Sequence, residues 1–149
     1  MSGYPPFMRQ GITLPEIMMV LAILGLIMGI AAPRIVALRD SLAVEQEAHR
    51  VVGAHRRARI TSVALGRPAV LTVGPDSLVI RITGDPADAW GARGPAASGV
   101  ALGGPIRRIT FSPMGFTTGL SNASFSLSRG SAQRTVVVSR LGRVRMTYP

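Results

Sequence analysis

The chain has 149 residues, 17 Lys plus Arg against 7 Asp plus Glu for a formal net charge of +10, 47% hydrophobic residues and no cysteine. That length carries one modest domain with an appendage and not two full domains. Without cysteine there is no disulfide scaffold, no thiolate zinc site and no Cys nucleophile, while the redox compartment stays open. The mean hydropathy is +0.33 despite these charges, so the apolar residues are concentrated somewhere along the chain.

The concentration lies near the N-terminus. Ile17 to Ala32 is a run of 16 residues without a charge, rich in Met, Leu, Ile and Ala. As a helix it spans about 24 Å, so it needs flanking Ile12 to Leu14 and Pro33 to Val36 to cross a hydrocarbon core of about 30 Å. Glu16 stands at its upstream edge. An ionised carboxylate costs about 2.5–3.5 kcal/mol at a bilayer centre, and a plain anchor has no use for one. Three readings compete. A secretory signal peptide would use Arg9 as its basic region and Gly29-Ile30-Ala31 as its cleavage site. A simple anchor would pair through Gly25 and Gly29. The third takes in the whole string Arg9-Gln10-Gly11-Ile12-Thr13-Leu14-Pro15-Glu16 ahead of the apolar run.

That string resembles the class III leader of type IV pilins and type II secretion pseudopilins, a basic leader ending in Gly with a Glu five residues on. The resemblance implies that residues 1–11 are a prepilin leader with Gly11 as its last residue. A prepilin peptidase would cut there and methylate the new N-terminus, Ile12. It further implies that Glu16 is the assembly carboxylate and that Pro33 kinks the helix. Ile12 departs from the commoner Phe, and Pro15 from the usual Ile or Val, although proline is tolerated in a first helical turn. Met8 is an alternative start, which would leave the short leader Met8 to Gly11. Cleavage creates a cationic amine at Ile12, which the Glu16 carboxylate of a neighbouring subunit can meet in a bundle of parallel helices. Loss of either partner leaves an unpaired buried charge, so the pair acts as a register check.

The helical period continues beyond Pro33. Positions 37, 41, 44, 48, 51, 55, 58, 62 and 65 form an uncharged stripe at alternating spacings of three and four, with Arg39, Asp40, Glu45, Glu47, Arg50, Arg56, Arg57 and Arg59 on the other faces. A helix from Ile12 to about Leu65 is roughly 80 Å long. Gly66-Arg67-Pro68 ends it. Short β-branched or alternating runs then follow at Ala69–Val73, Ser77–Thr83, Ile106–Ser112, Ser124–Ser128, Arg134–Ser139 and Arg143–Thr147. Between Gly84 and Pro105 lie 22 residues with six Gly and three Pro, which read as a surface loop.

The whole chain resembles the minor pseudopilin GspH and its pilus relative FimT. The resemblance is carried by the leader, the helix end at Ala58-Arg59 to Gly66, Ile109-Thr110-Phe111-Ser112-Pro113-Met114-Gly115, and the closing Val136 to Arg145. It implies an α+β, pilin-like fold, with one long N-terminal α-helix packed on an antiparallel two-sheet β domain. The expected division is a leader at 1–11, a transmembrane and assembly half of the helix at 12–33, an amphipathic half at 34–66, and a periplasmic β domain at 67–149. The implied place is the bacterial inner membrane, single-pass, with the C-terminal domain in the periplasm and extractable into a pseudopilus. The implied partners are other major and minor pseudopilins, the prepilin peptidase and the inner-membrane assembly platform.

An enzyme reading is poor on independent grounds. His49 and His55 are six apart on one helix, not the three or four that aligns two metal ligands. Asp85 and Asp88 fall short of a calcium loop's ligand count. There is no nucleophile elbow, P-loop or dinucleotide fingerprint, so no catalytic residue, metal or cofactor is expected. His55 lies on the uncharged stripe and reads as a packed residue.

After Asp88 there is no acid, while eight Arg follow, so the C-terminal part reads as strongly basic. Removal of Arg9 with the leader still leaves the mature chain at +9 in place of +10. In a strand Arg143-Val144-Arg145-Met146 the two Arg side chains share one face. A Gly-Arg-x-Arg ending resembles the one FimT-like minor pilins use on incoming DNA, which makes Arg140, Arg143 and Arg145 candidates for nucleic-acid binding. Against this, every basic residue is Arg and none is Lys, a pattern that genome composition also produces. The expected function is a minor pseudopilin of a type II secretion pseudopilus, assembled near the filament tip. The alternatives are a DNA-capturing minor type IV pilin and a soluble periplasmic β protein released after Ala31.

Overall fold

The computed structural model describes residues 11–118, 123–139 and 142–148. One helix, α1, runs over Leu14–Leu65. Its start is a capping arrangement: the Thr13 carbonyl accepts from the amides of Glu16 and Ile17, and the Glu16 side chain reaches back to the Thr13 N–H at 3.4 Å. Its end is a Schellman motif. Gly66, at φ +60°, donates to Val63, and Arg67 donates to Ser62. The chain divides into two units, residues 1–36 and 37–149.

In the first unit, α1 carries an 18-residue window of mean hydropathy 2.3, none of it buried. Leu, Ile, Met and Val from Leu14 to Val36 are open to the surroundings. Pro33 lies inside the helix and lacks the N–H that would otherwise satisfy the Gly29 carbonyl.

The second unit holds the packed domain. A five-stranded antiparallel sheet has the order β3-β2-β1-β5-β6, from Asp88–Arg93, Ser77–Ile82, Ala69–Val73, Arg107–Phe111 and Thr117–Thr118. A four-stranded antiparallel sheet has the order β4-β7-β8-β9, from Ala101–Gly103, Ala123–Arg129, Ala132–Val138 and Val144–Thr147. Alternation decides which side chains go in: Leu71, Leu78, Ile80, Ile109, Phe111, Phe125, Leu127, Val136 and Val138 are all buried. They meet Val44, Ala48, Val51, Val52, Ala54 and Ala58 of α1, so the small residues of the stripe let the helix lie close to the sheets.

The six strands expected from sequence are present to within two residues at each end. The helical stripe is buried from Val44 to Ser62, while its outer members Ala37 and Leu65 are exposed. Glu47, which its charge assigns to an outer face, is instead 1% exposed. It lies three residues past Val44 and four before Val51, so helical geometry turns it inward, where it accepts from Arg50 at 2.9 Å and from the Ser98 hydroxyl at 2.6 Å.

The surface loop expected over 84–105 requires correction. It contains β3, a 3₁₀ turn at Pro95–Ser98, and β4. β3 pairs with β2, Ile80 opposite Trp90, past a register shift at Ile80 and Arg81. Pro95 and Val100 are buried. Gly94 serves close packing: a Cβ there would sit 2.6 Å from the Ser77 nitrogen and collide with the Pro75 carbonyl oxygen. β6, only two residues long, is too short to leave a period in the sequence.

Candidate functional site

At the start of α1, Ile12, Glu16, Ile17, Val20 and Leu21 line one shallow hollow. Ile12 and Glu16 therefore share a face, and Gly11 precedes them outside the helix. Glu16 is exposed and its side-chain contact is the long one to Thr13. The spacing Thr13-x-x-Glu16 is a capping-box signature that an argument from charge alone overlooks; it gives Glu16 a local role beside any role between subunits.

The histidines do not converge. His49 is exposed with its Nε2 3.6 Å from Glu45, whereas His55 is 2% exposed and packs edge-on to Phe111 at 5.0 Å between ring centroids. Among the described residues, neither ring nitrogen of His55 has a hydrogen-bond partner. Burial, then the charges of Arg59 and Arg56, lower its pKa from 6.5 to about 4, so the ring is neutral at pH 7. Asp85 and Asp88 also go separate ways. Asp85 accepts from the Ala87 amide, and Asp88 pairs with Arg81 across the β2–β3 ladder.

The basic C-terminal part is less uniform than its residue count implies. Arg129 pairs with Asp40 of α1 at 2.8 Å and donates to the Ser98 carbonyl at 2.7 Å. Arg134 pairs with Glu45 at 3.2 Å and lies over the Tyr148 ring. The helix acids thus neutralise two arginines that sequence order leaves unpaired. Arg57 stacks over Trp90. Arg143 and Arg145 are exposed and carry no ion pair among the described residues, while Val144 and Met146 turn toward the core. Arg140, the third expected member, lies outside the described residues.

A turn brings Arg143 into position. The Ser139 amide donates to the Arg143 carbonyl at 2.8 Å, and Gly142, at φ +72°, adopts a left-handed backbone that side-chain-bearing residues resist. Arg143 and Arg145 then line one groove together with His55, Arg56 and Arg59 of α1. Sequence reasoning assigns Arg56 and Arg59 only to an outer helix face; no local pattern ties them to residues some 85 positions later.

Comparison with known proteins is consistent along the chain. Residues 47–142 match the family described as type II transport protein GspH, and residues 7–32 match the prokaryotic N-terminal methylation motif. The pilin-like protein PilA1 of Thermus thermophilus is 30% identical over 159 aligned positions, spanning 93% of this chain and 98% of that protein. The minor pilin FimU of Pseudomonas aeruginosa has a similar fold, with a TM-score of 0.58 at 16% identity over 70% of this chain and 87% of FimU. A second crystal form of FimU gives 0.55 at 15% identity, over 69% and 91%.

Proposed function

This chain belongs to the GspH family and is a structural subunit of the minor pilin or pseudopilin type, and on that premise we propose that it serves a type II secretion pseudopilus without chemistry of its own. The match of residues 47–142 to a family described as type II transport favours that system over a pilus. In this reading, residues 1–11 are removed by prepilin peptidase, Ile12 is methylated, and α1 stays in the inner membrane with the C-terminal domain in the periplasm until a platform moves the subunit into the filament. Pro33 and the Gly29 carbonyl it leaves without a donor supply a point at which the helix can bend.

The observation that carries this reading is Glu16, an exposed carboxylate beside Ile12 at the head of an unburied apolar helix. An amine liberated at Ile12 gives that carboxylate an intersubunit partner in low dielectric. Glu16→Gln is the discriminating variant, because Gln also serves at the third position of a capping box and so preserves the helix start while removing the charge. The expected result is a cleaved, membrane-resident subunit that no longer enters the filament. Unimpaired incorporation would refute the assembly role, and a purified protein starting at Ala32 in place of methylated Ile12 would support the released soluble form. Loss of exoprotein secretion on deletion of the gene identifies the secretion system; loss of pili with secretion intact identifies a pilus.

One observation favours a second reading. Arg143 and Arg145 are exposed without acidic partners among the described residues, which suits contact with a phosphate backbone, with Arg140 beside them in sequence. DNA affinity would then fall with salt at a log–log slope of about −0.9 per phosphate contacted, and Arg143→Ala with Arg145→Ala would flatten it. An unchanged slope removes this reading.

A further inference from the structure

The groove between α1 and the start of β9 has a volume of about 290 Å³ and is lined chiefly by His55, Arg56, Arg59, Arg143 and Arg145. We propose that it is a binding site for a phosphate group, gripped by Arg56 and Arg59 from the helix and by Arg143 and Arg145 from the strand. Three observations carry this. First, these four arginines, like several others, have no ion-pair partner among the described residues, whereas Arg50, Arg81, Arg129 and Arg134 each have a carboxylate. What sets the four apart is that they line one groove together, with no acid among its lining residues. Second, the lining includes a 2% exposed imidazole whose two nitrogens both lack partners among the described residues, a polar ring where an apolar one would pack at lower cost. Third, the turn that presents Arg143 depends on the left-handed backbone of Gly142, so the strand wall is positioned by a built feature.

The geometry selects the ligand. A planar carboxylate is satisfied by one guanidinium fork, but four arginines contributed to one groove by a helix and a strand suit an acceptor with oxygens pointing in several directions and more than one negative charge. Phosphate has both properties. The inference extends the nucleic-acid reading by adding a helix wall, yet it stands without it, since any accessible phosphate satisfies the same groups.

His55 reports occupancy. The groups facing it are Arg56 and Arg59 on its own helix, Arg143 and Arg145 across the groove, and the Phe111 ring of β5. Burial and the charges of Arg59 and Arg56 hold the ring neutral. A bound dianion offsets the arginine charges, so His55 takes up a proton at higher pH when the groove is filled. His49, exposed beside Glu45, is an internal reference.

The test uses the full chain in nonionic detergent at low salt, with inorganic pyrophosphate as probe and the two histidine rings followed by NMR between pH 7 and pH 4.5. Expected are saturable binding of one equivalent, an earlier onset of His55 protonation with His49 unmoved, and affinity lowered about tenfold or more by Arg56→Ala with Arg59→Ala. Arg56→Lys with Arg59→Lys should recover part of it, since charge returns without the fork. The exposed positions of both arginines leave the fold intact, which the unchanged resonances of buried Phe111 and Phe125 would verify. Binding that perturbs both histidines alike, or is indifferent to the helix variants, marks an adventitious ion only and overturns the proposal. A parallel titration with a single-stranded oligonucleotide separates the two readings. DNA binding lost with Arg143→Ala and Arg145→Ala but not with the helix pair sinks the groove and spares nucleic-acid capture. Pyrophosphate bound in the groove with no retention of DNA does the reverse.

Discussion

His55 is neutral, buried and, among the described residues, without a hydrogen-bond partner at either nitrogen, and each of these facts has a measurable consequence. Its pKa falls from 6.5 in the unfolded chain to about 4 in the fold, so between those values the unfolded state binds more protons. Stability from this residue is complete above pH 6.5 and is lost as pH falls toward 4, by about 3 kcal/mol in total. Denaturant unfolding of the wild type should show this acid-side decline, and His55→Leu should flatten it while raising stability at pH 7 by about 1 kcal/mol. Glu47 behaves oppositely. Its buried carboxylate ties Arg50 to the Ser98 hydroxyl, so Glu47→Ala should cost about 2–4 kcal/mol in the same experiment, and Ser98→Ala only about 1 kcal/mol.

At the scale of elements, the region 84–105 shows why composition misleads. Gly and Pro read as breakers of structure, but Gly94 marks a point where backbones approach too closely for a side chain. Gly94 has an ordinary φ of −81°, so its cost of substitution is steric alone. Gly94→Ala forces a methyl against Pro75 and Ser77 and should lower unfolding stability by about 1–3 kcal/mol. Gly53 is the contrast, an exposed mid-helix glycine where an added methyl group would have nothing within 4 Å. Gly53→Ala should raise stability by about 0.5–1 kcal/mol, read as a higher midpoint in the same denaturant series. The helix is legible in its stripe and at its C-terminal end, because residues 44 to 62 and Gly66 each act on neighbours within one or two turns, whereas the cap at Thr13 emerges only in the structure.

For the whole molecule, the described hydrophobic residues that are buried all fall between Val44 and Val138, inside the second unit. Residues 37–149 should therefore fold without the first 36. Circular dichroism should show a cooperative melt for that fragment, with helix content reduced only by the missing turns. The first unit offers the opposite, part of a helix long and apolar enough to cross a membrane, with none of its apolar window buried. The 16-residue apolar run ends at Ala32, ahead of the small-residue stripe that begins at Ala37.

The sequence by itself determined the leader string, the long helix with its end at Gly66, and the six main strands. These follow from periodicity and from turn chemistry, both of which act between residues a few positions apart. Only the tertiary structure decided which charges are spent and which are free. Glu47 and Ser98 are 51 positions apart, and Glu45 and Arg134 are 89 apart, yet each pair is in hydrogen-bond contact. Electrostatic energy depends on distance through space, so a count of arginines along the chain cannot separate Arg129 and Arg134, neutralised by the helix, from Arg56, Arg59, Arg143 and Arg145, which the fold gathers around one neutral histidine.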